Sequence, residues 1–380
     1  SKKNMKKIVS FLFIFISCNL SAIPKIQDFG ASSYILLEPN TGKILASFNE
    51  NSQVEPASLT KLMTSFVVAD YIEKGFISLE DEPTISIKSW KAPGSKMFIR
   101  ESTQVKVDDL IKGMIVQSGN DASIALAEHV AGTEENFVFL MNDYAKELGM
   151  QNTSFNNASG LPDPLNLTTA FDLALLTSSL IKNFPSHYEN YSIKSFSYNS
   201  IEQKNRNRLL WRDKIFDGVK TGWTESAGYC LIGSAKVGDM RLVAVVLGSE
   251  DNKRFNDVAS LINYGFRYFV TERKVRSNES LKKLKVVGGV DDEVSLGVVE
   301  DVVITLQKDQ QGSLRYEIEA PKSILAPVFA GDVAGKIKAY DDENNLVIEQ
   351  ELVYLESVES LGFLQRILSI IWNWIKSLFT

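Results

Sequence analysis

The chain has 380 residues, with 41 Lys and Arg against 47 Asp and Glu, 2 His, 2 Cys and a formal charge of -6. That length favours two domains over one, and an acidic balance without a long basic stripe excludes an ordinary nucleic-acid binder. With so few Cys and His a structural zinc site lacks ligands, and neither a metal nor a cofactor is expected.

Residues 1–22 place Lys2, Lys3, Lys6 and Lys7 ahead of an apolar run at 8–16, followed by Ser21 and Ala22. That order is the layout of a secretory signal peptide, and the apolar core is too short for a stable membrane span. A buried N-terminal helix is the alternative. Cys18 lies inside this segment, in surroundings that fit a lipoprotein cleavage site poorly. Export would remove four lysines and no acid, moving the formal charge from -6 to -10, and would leave one cysteine, Cys230, with no internal disulfide partner.

Two apolar runs around Pro39, Asn40, Thr41 and Gly42 predict a β-hairpin. Next, Leu59, Leu62, Met63, Phe66, Val67, Ala69 and Tyr71 recur at helical spacing before a stop at Gly75. They predict a helix whose first turn holds Ser58 and Lys61. Further helices are expected over 107–131, broken near Ser118-Gly119-Asn120, over 134–148, and from about Thr169. Strand character returns at 229–235 and 240–248, so strands flank a helical block and one sheet with helices packed on it is expected. A charged linker near 271–287 precedes short strand-like runs. The expected division is a first domain over 25–268, a small, mostly β domain over 272–358, and a terminal helix over 361–380.

In that last segment Leu364, Ile367, Leu368, Ile371, Trp374, Ile375 and Leu378 fall on one helical face, with Gln365, Arg366, Ser369, Asn373, Lys376 and Ser377 opposite. Regularly placed polar residues argue for a helix lying in a membrane interface rather than crossing it. Docking on its own domain is the alternative.

His129 and His187 leave few possible bases for a Ser-His-Asp triad, so a serine enzyme here needs another base. Ser58 and Lys61, three apart on a helix, share a face. The lysine must be neutral to act, which means moving its pKa from about 10.4 toward about 7 at a cost of about 4 kcal/mol, through burial and a second cation. Alone, the pattern reads better as a helix cap, and it recurs at Ser179 with Lys182 and at Ser280 with Lys283. Ser118-Gly119-Asn120 adds a hydroxyl and an amide in a helix break, a spacing that recurs at Ser154 and Ser197. Lys220-Thr221-Gly222, just ahead of a strand-like run, occurs once.

In the order SxxK, SxN, KTG these motifs are the signature of the penicillin-binding serine acyl-transferases. The chain resembles, over almost all its length, the low-molecular-mass D-alanyl-D-alanine carboxypeptidases that trim peptidoglycan stem peptides. "GSKMFI" at 94–99, "SGLPDP" at 159–164, "NRNRLLW" at 205–211 and "DGVKTGWTESAGYC" at 217–230 carry the likeness further. It implies the α/β (α+β) fold of serine β-lactamases and DD-peptidases: a central antiparallel sheet with helices on both sides, a small C-terminal β-sandwich-like domain and a terminal amphipathic helix.

The resemblance assigns Ser58 as the acylated nucleophile and Lys61 as its base. Ser118, Asn120 and Lys220 relay protons and hold substrate, Lys220 also helping to depress the pKa of Lys61. Thr221, Gly222, Trp223 and Arg206 become substrate-binding residues, with Thr221 and Arg206 at the terminal carboxylate and the backbone N–H groups of Ser58 and Trp223 forming the oxyanion hole. Trp223 departs from the His that members often carry there; the pH profile is free to differ, while the backbone role survives. The partners implied are stem peptides, β-lactams as covalent inhibitors and a membrane surface. The implied location is the outer face of the cytoplasmic membrane, on the periplasmic side. No Glu lies between Leu148 and Tyr188, and Asp163 sits in a turn, so efficient β-lactam hydrolysis is not expected. A DD-endopeptidase acting on cross-links and a weakly catalytic wall-binding scaffold remain as alternatives.

Overall fold

The computed structural model describes residues 23–26, 29–310, 314–363, 365, 367, 368 and 371; the expected signal peptide and most of the terminal helix lie outside the described residues. The hairpin around 39–42 forms strands β1 (Ser33–Glu38) and β2 (Lys43–Phe48). A helical block follows: α1 (Lys61–Glu73), α2 (Ile87–Lys91), α3 (Val107–Val116), α4 (Asn120–Ala131), α5 (Glu134–Glu147), α6 (Ala170–Asn183) and α7 (Pro185–Tyr188). Thr133 and Thr169 cap α5 and α6, their hydroxyls accepting from the N–H groups of Asn136 and Asp172. Then come β3 (Ser195–Tyr198), β4 (Ile201–Lys204), α8 (Leu209–Arg212), β5 (Phe216–Thr224), β6 (Gly228–Val237), β7 (Met240–Ser249) and α9 (Lys253–Tyr268).

The main sheet has the order β2-β1-β7-β6-β5 and is antiparallel throughout. Successive strand residues point to opposite faces, and both faces are covered. Ile35, Leu37, Val243 and Val245 enter a core shared with α1 and α3 to α6, while Leu36, Leu242, Ala244 and Val246 enter a second one shared with α9. Fully burying each Val or Leu is worth about 1.5–3 kcal/mol. Every residue of α1 from Lys61 to Ala69 is buried, so this helix is the axis of the first core, and its opening lysine is taken out of water with the rest.

Two local readings change. Ser58 sits in a 3-10 turn, Ala57–Thr60, immediately ahead of α1 and makes no capping hydrogen bond. Lys220-Thr221-Gly222 lies inside β5, not before a strand; a buried lysine between glycines hides the period of two. His187 lies in α7, where its Nε2 is 2.7 Å from the Ser65 hydroxyl.

The segment read as a charged linker holds β8 (Phe269–Val275) and β9 (Lys282–Val287), whose lysines alternate with buried Leu284 and Val286. With β10 (Glu293–Gly297), β11 (Val302–Gln307), β12 (Arg315–Glu319), β13 (Ser323–Leu325), β14 (Val333–Tyr340) and β15 (Leu346–Tyr354) they build the β-rich domain. A six-stranded sheet ordered β12-β14-β15-β10-β9-β13 packs on the β11-β8 pair around Val275, Leu296, Ile304, Ile337 and Leu352. The domain meets the β1–β2 hairpin at Glu38. This fully buried carboxylate accepts from the N–H and hydroxyl of Thr41, and Thr41 in turn meets Thr305 of β11 at 2.9 Å.

Candidate active site

A cleft of about 580 Å³ opens between β5, the turn before α1 and the α3–α4 break, and its lining includes Ser58, Ser118, Asn120, Arg206, Thr221 and Trp223. The residues predicted from sequence therefore meet in one place. Ser58 is half-buried and reachable from the cleft, whereas Lys61 behind it is 1 % exposed. Lys61 Nζ donates to Asn120 Oδ1 at 2.7 Å and to the Ser159 carbonyl at 2.5 Å, and lies 3.2 Å from Ser58 Oγ. A neutral amine has two N–H bonds and one lone pair. With the two N–H bonds directed at those oxygens, the lone pair is left for the Ser58 hydroxyl, which is the arrangement a general base needs.

Burial lowers the Lys61 pKa to about 7, with the Arg206 guanidinium adding to the shift and Asp121 opposing it. Lys220, fully enclosed in β5, is pushed well below the ordinary lysine value by burial first and then by Lys61 and Arg206. Lys61 and Lys220 repel each other as cations, so each favours the neutral form of the other. Lys220 is itself driven toward neutrality, and Lys61 is held down by burial first, with Arg206 adding to it. Arg206 makes no side-chain hydrogen bond or ion pair among the described residues and faces the cleft, free to meet an anion.

Ser118 is 2 % exposed, and its Oγ has no hydrogen-bond partner among the described residues. A buried hydroxyl without a partner costs about 1–3 kcal/mol. Its φ of 64° lies in the left-handed region, as do those of Ala57 (49°) and Phe98 (69°), so backbone strain gathers around the cleft. Asp121, missed in the sequence, holds that strain in place. Its buried carboxylate accepts from the N–H groups of Met97 and Phe98 at 3.0 Å each and of Ile99 at 3.3 Å, tying the 94–99 loop over the start of α4. Asn120 adds a bond from Nδ2 to the Pro93 carbonyl at 2.7 Å.

Gly160 is required by close approach, and Gly222 sits in a tight one. A Cβ on Gly160, whose φ is 81°, would stand 1.7 Å from the Ala57 carbonyl oxygen; one on Gly222 would crowd Leu59 and Ala57. Arg254 of α9 was also missed: it lines the cleft and donates to the carbonyls of Gly222 (3.0 Å) and Cys230 (3.3 Å), bracing β5. Nothing in the sequence ties an arginine in α9 to a strand 32 residues earlier. Asp163 accepts from the Leu165 N–H at 2.8 Å and from Asn156 Nδ2 at 2.8 Å, which keeps it in its turn. Cys230 is free and buried, and the described residues hold no group of three His, Cys, Asp or Glu able to bind a metal ion.

Residues 21–251 match the family described as D-alanyl-D-alanine carboxypeptidase, and residues 269–360 match penicillin-binding protein 5, C-terminal domain. Among curated relatives, D-alanyl-D-alanine carboxypeptidase DacC of Escherichia coli is 39% identical over 97% of this chain and 94% of its own length. DacA of Haemophilus influenzae is 37% identical over 98% of both. The crystal structure of penicillin binding protein 5 from Haemophilus influenzae superposes with a TM-score of 0.79 at 37% identity, covering 89% of this chain and 100% of that one.

Proposed function

The chain belongs to the D-alanyl-D-alanine carboxypeptidase family and is a serine-type D-Ala-D-Ala carboxypeptidase, and from that premise we propose that it removes the terminal D-alanine of peptidoglycan stem pentapeptides through an acyl-enzyme on Ser58. The observation that carries the assignment of residues is the enclosure of Lys61 Nζ between Ser58 Oγ, Asn120 Oδ1 and the Ser159 carbonyl. Lys61 takes the hydroxyl proton as Ser58 attacks the penultimate carbonyl. The backbone N–H groups of Ser58 and Trp223 receive the developing oxyanion. Ser118 and Lys220 pass a proton to the departing amine, and Thr221, Gly222 and Arg206 hold its carboxylate. Water then releases the acyl group. Penicillins present the same carbonyl and carboxylate and acylate the same serine.

β5 is an edge strand of the main sheet, and its residues 221–224 line the cleft. An extended peptide added there gains main-chain hydrogen bonds without rearrangement of the fold. Digestion of purified muropeptides decides between the carboxypeptidase and endopeptidase readings. Free D-alanine from monomeric pentapeptides is expected, and separation of cross-linked dimers without D-alanine release would contradict it.

The same proposal includes export and attachment to a membrane surface through 361–380. Phe363, Leu368 and Ile371 are 78%, 67% and 48% exposed, which supports an apolar face presented outward. No helix among the described residues is long and apolar enough to cross a membrane. A chain ending before Gly362 is expected to be active and to leave the membrane fraction; retention there would contradict the attachment.

A further inference from the structure

A chain of polar side chains that the mechanism does not use runs through the protein behind the cleft. On α1, one turn after Lys61, Ser65 is fully buried, and its hydroxyl meets His187 Nε2 at 2.7 Å and the Tyr191 hydroxyl. Both partners lie in the segment 185–192, which is α7 followed by a 3-10 turn, Glu189–Ser192. Tyr188 of the same segment stacks on Tyr191, with 5.4 Å between ring centroids, and its hydroxyl donates to Asp217 Oδ1 at 3.0 Å. Asp217 stands in β5, three residues before Lys220. Arg241 of β7 grips both oxygens of Asp217, at 2.9 and 2.7 Å, and donates to Ser234 of β6 at 2.7 Å. Gly218 leaves room for the Tyr188 contact, since a Cβ there would stand 2.3 Å from the Tyr188 oxygen.

The two ends of this chain are the elements that carry the buried lysines. Lys61 opens α1, and Lys220 stands within β5, where its amine makes one hydrogen bond among the described residues, to the carbonyl of its own neighbour Thr221 at 3.1 Å. The strand therefore sets where Lys220 lies, and few side-chain contacts correct it. A buried polar network whose members are all bonded is rigid, and a misplacement of about 1 Å in an active site costs about 10²-fold in rate. The charged groups that face Lys61 are Arg206, Asp121 and Lys220. Burial lowers the His187 pKa to about 4, so the imidazole stays neutral where Lys61 titrates.

We propose that the segment 185–192 is a strut that fixes the spacing of Lys61 and Lys220, with Ser65 and Tyr188 as positioning residues for the acylation of Ser58. Ser65 is the joint to α1, and Tyr188, through Asp217, is the joint to β5. Neither side chain touches substrate. Loosening either joint lets β5 drift from α1, so that Lys61 is less repelled by Lys220 and less of it is neutral near pH 7. This rests on the reading of Ser58 as nucleophile and Lys61 as its base.

The test follows acylation of the full chain by benzylpenicillin as a function of pH, with the thermal midpoint of each variant as a control for folding. Tyr188→Phe removes one oxygen and keeps the stacked ring, and Ser65→Ala breaks the other joint. Each is expected to lower the limiting acylation rate about tenfold, less than a full 1 Å misplacement costs, with affinity for the antibiotic nearly unchanged and the rising limb moved to higher pH. The joints act in series, so the double variant should be about as slow as either single one rather than about a hundredfold slower. Thr177→Val removes another fully buried hydroxyl, bonded within α6 to the Leu173 carbonyl; it should lower the thermal midpoint comparably and move neither rate nor limb. Single variants with the wild-type rate and limb, a double variant slowed by the product of the singles, or equal slowing in Thr177→Val would each overturn the strut while the adduct on Ser58 stands. A wild-type chain that takes no adduct on Ser58 would overturn the nucleophile reading, and the strut with it.

Discussion

Replacing Lys61 by Met is expected to slow acylation of Ser58 by penicillin about 10³-fold, within the range of about 10²–10⁴ that a positioned general base contributes. The substitution keeps an unbranched side chain of similar length in the core. It leaves Asn120 Oδ1 and the Ser159 carbonyl without their donor, so a loss of about 1–3 kcal/mol in stability accompanies it. Measuring the thermal midpoint separates that loss from the catalytic one. Acylation within tenfold of the wild type in a folded variant would remove Lys61 from its role.

The pH dependence follows from the same group. Lys61 acts when neutral, and its pKa is about 7, so acylation should climb as pH rises through about 7 and level off above it. Arg206 lowers that pKa; Arg206→Gln removes the neighbouring positive charge and should move the rising limb to higher pH. It should also weaken peptides bearing a free terminal carboxylate by about 10–100-fold, the worth of a charge-assisted hydrogen bond of about 1.5–3 kcal/mol. A limb that stays in place or moves to lower pH would contradict a role for Arg206 in lowering the Lys61 pKa.

Much of the site was legible because its chemistry is written in short, ordered motifs. Ser58 with Lys61, Ser118 with Asn120, and Lys220 with Thr221 are far apart in sequence yet line or adjoin one cleft. The helices at 107–131, 134–148 and from 169 were readable from their period, and each stands within a few residues of the expected ends. Less legible was β5, where glycines and an enclosed lysine replace the alternation that marks a strand. α9 carries a readable stripe of Phe255, Val258, Leu261 and Ile262, but it lies beside charged sequence and was passed over. The part of Arg206 in lowering the Lys61 pKa was not readable, because it depends on burial and on which charges face the amine in three dimensions.

The covalent step is the centre of the account, and mass spectrometry of the full chain after exposure to benzylpenicillin tests it most directly. One adduct is expected, at the mass of the intact antibiotic, and proteolytic mapping should place it on the peptide that holds Ser58. Ser58→Ala, folded by its thermal midpoint, should carry none. An adduct mapped to Ser118 or another side chain, or a labelled Ser58→Ala protein, would contradict the nucleophile and the mechanism built on it.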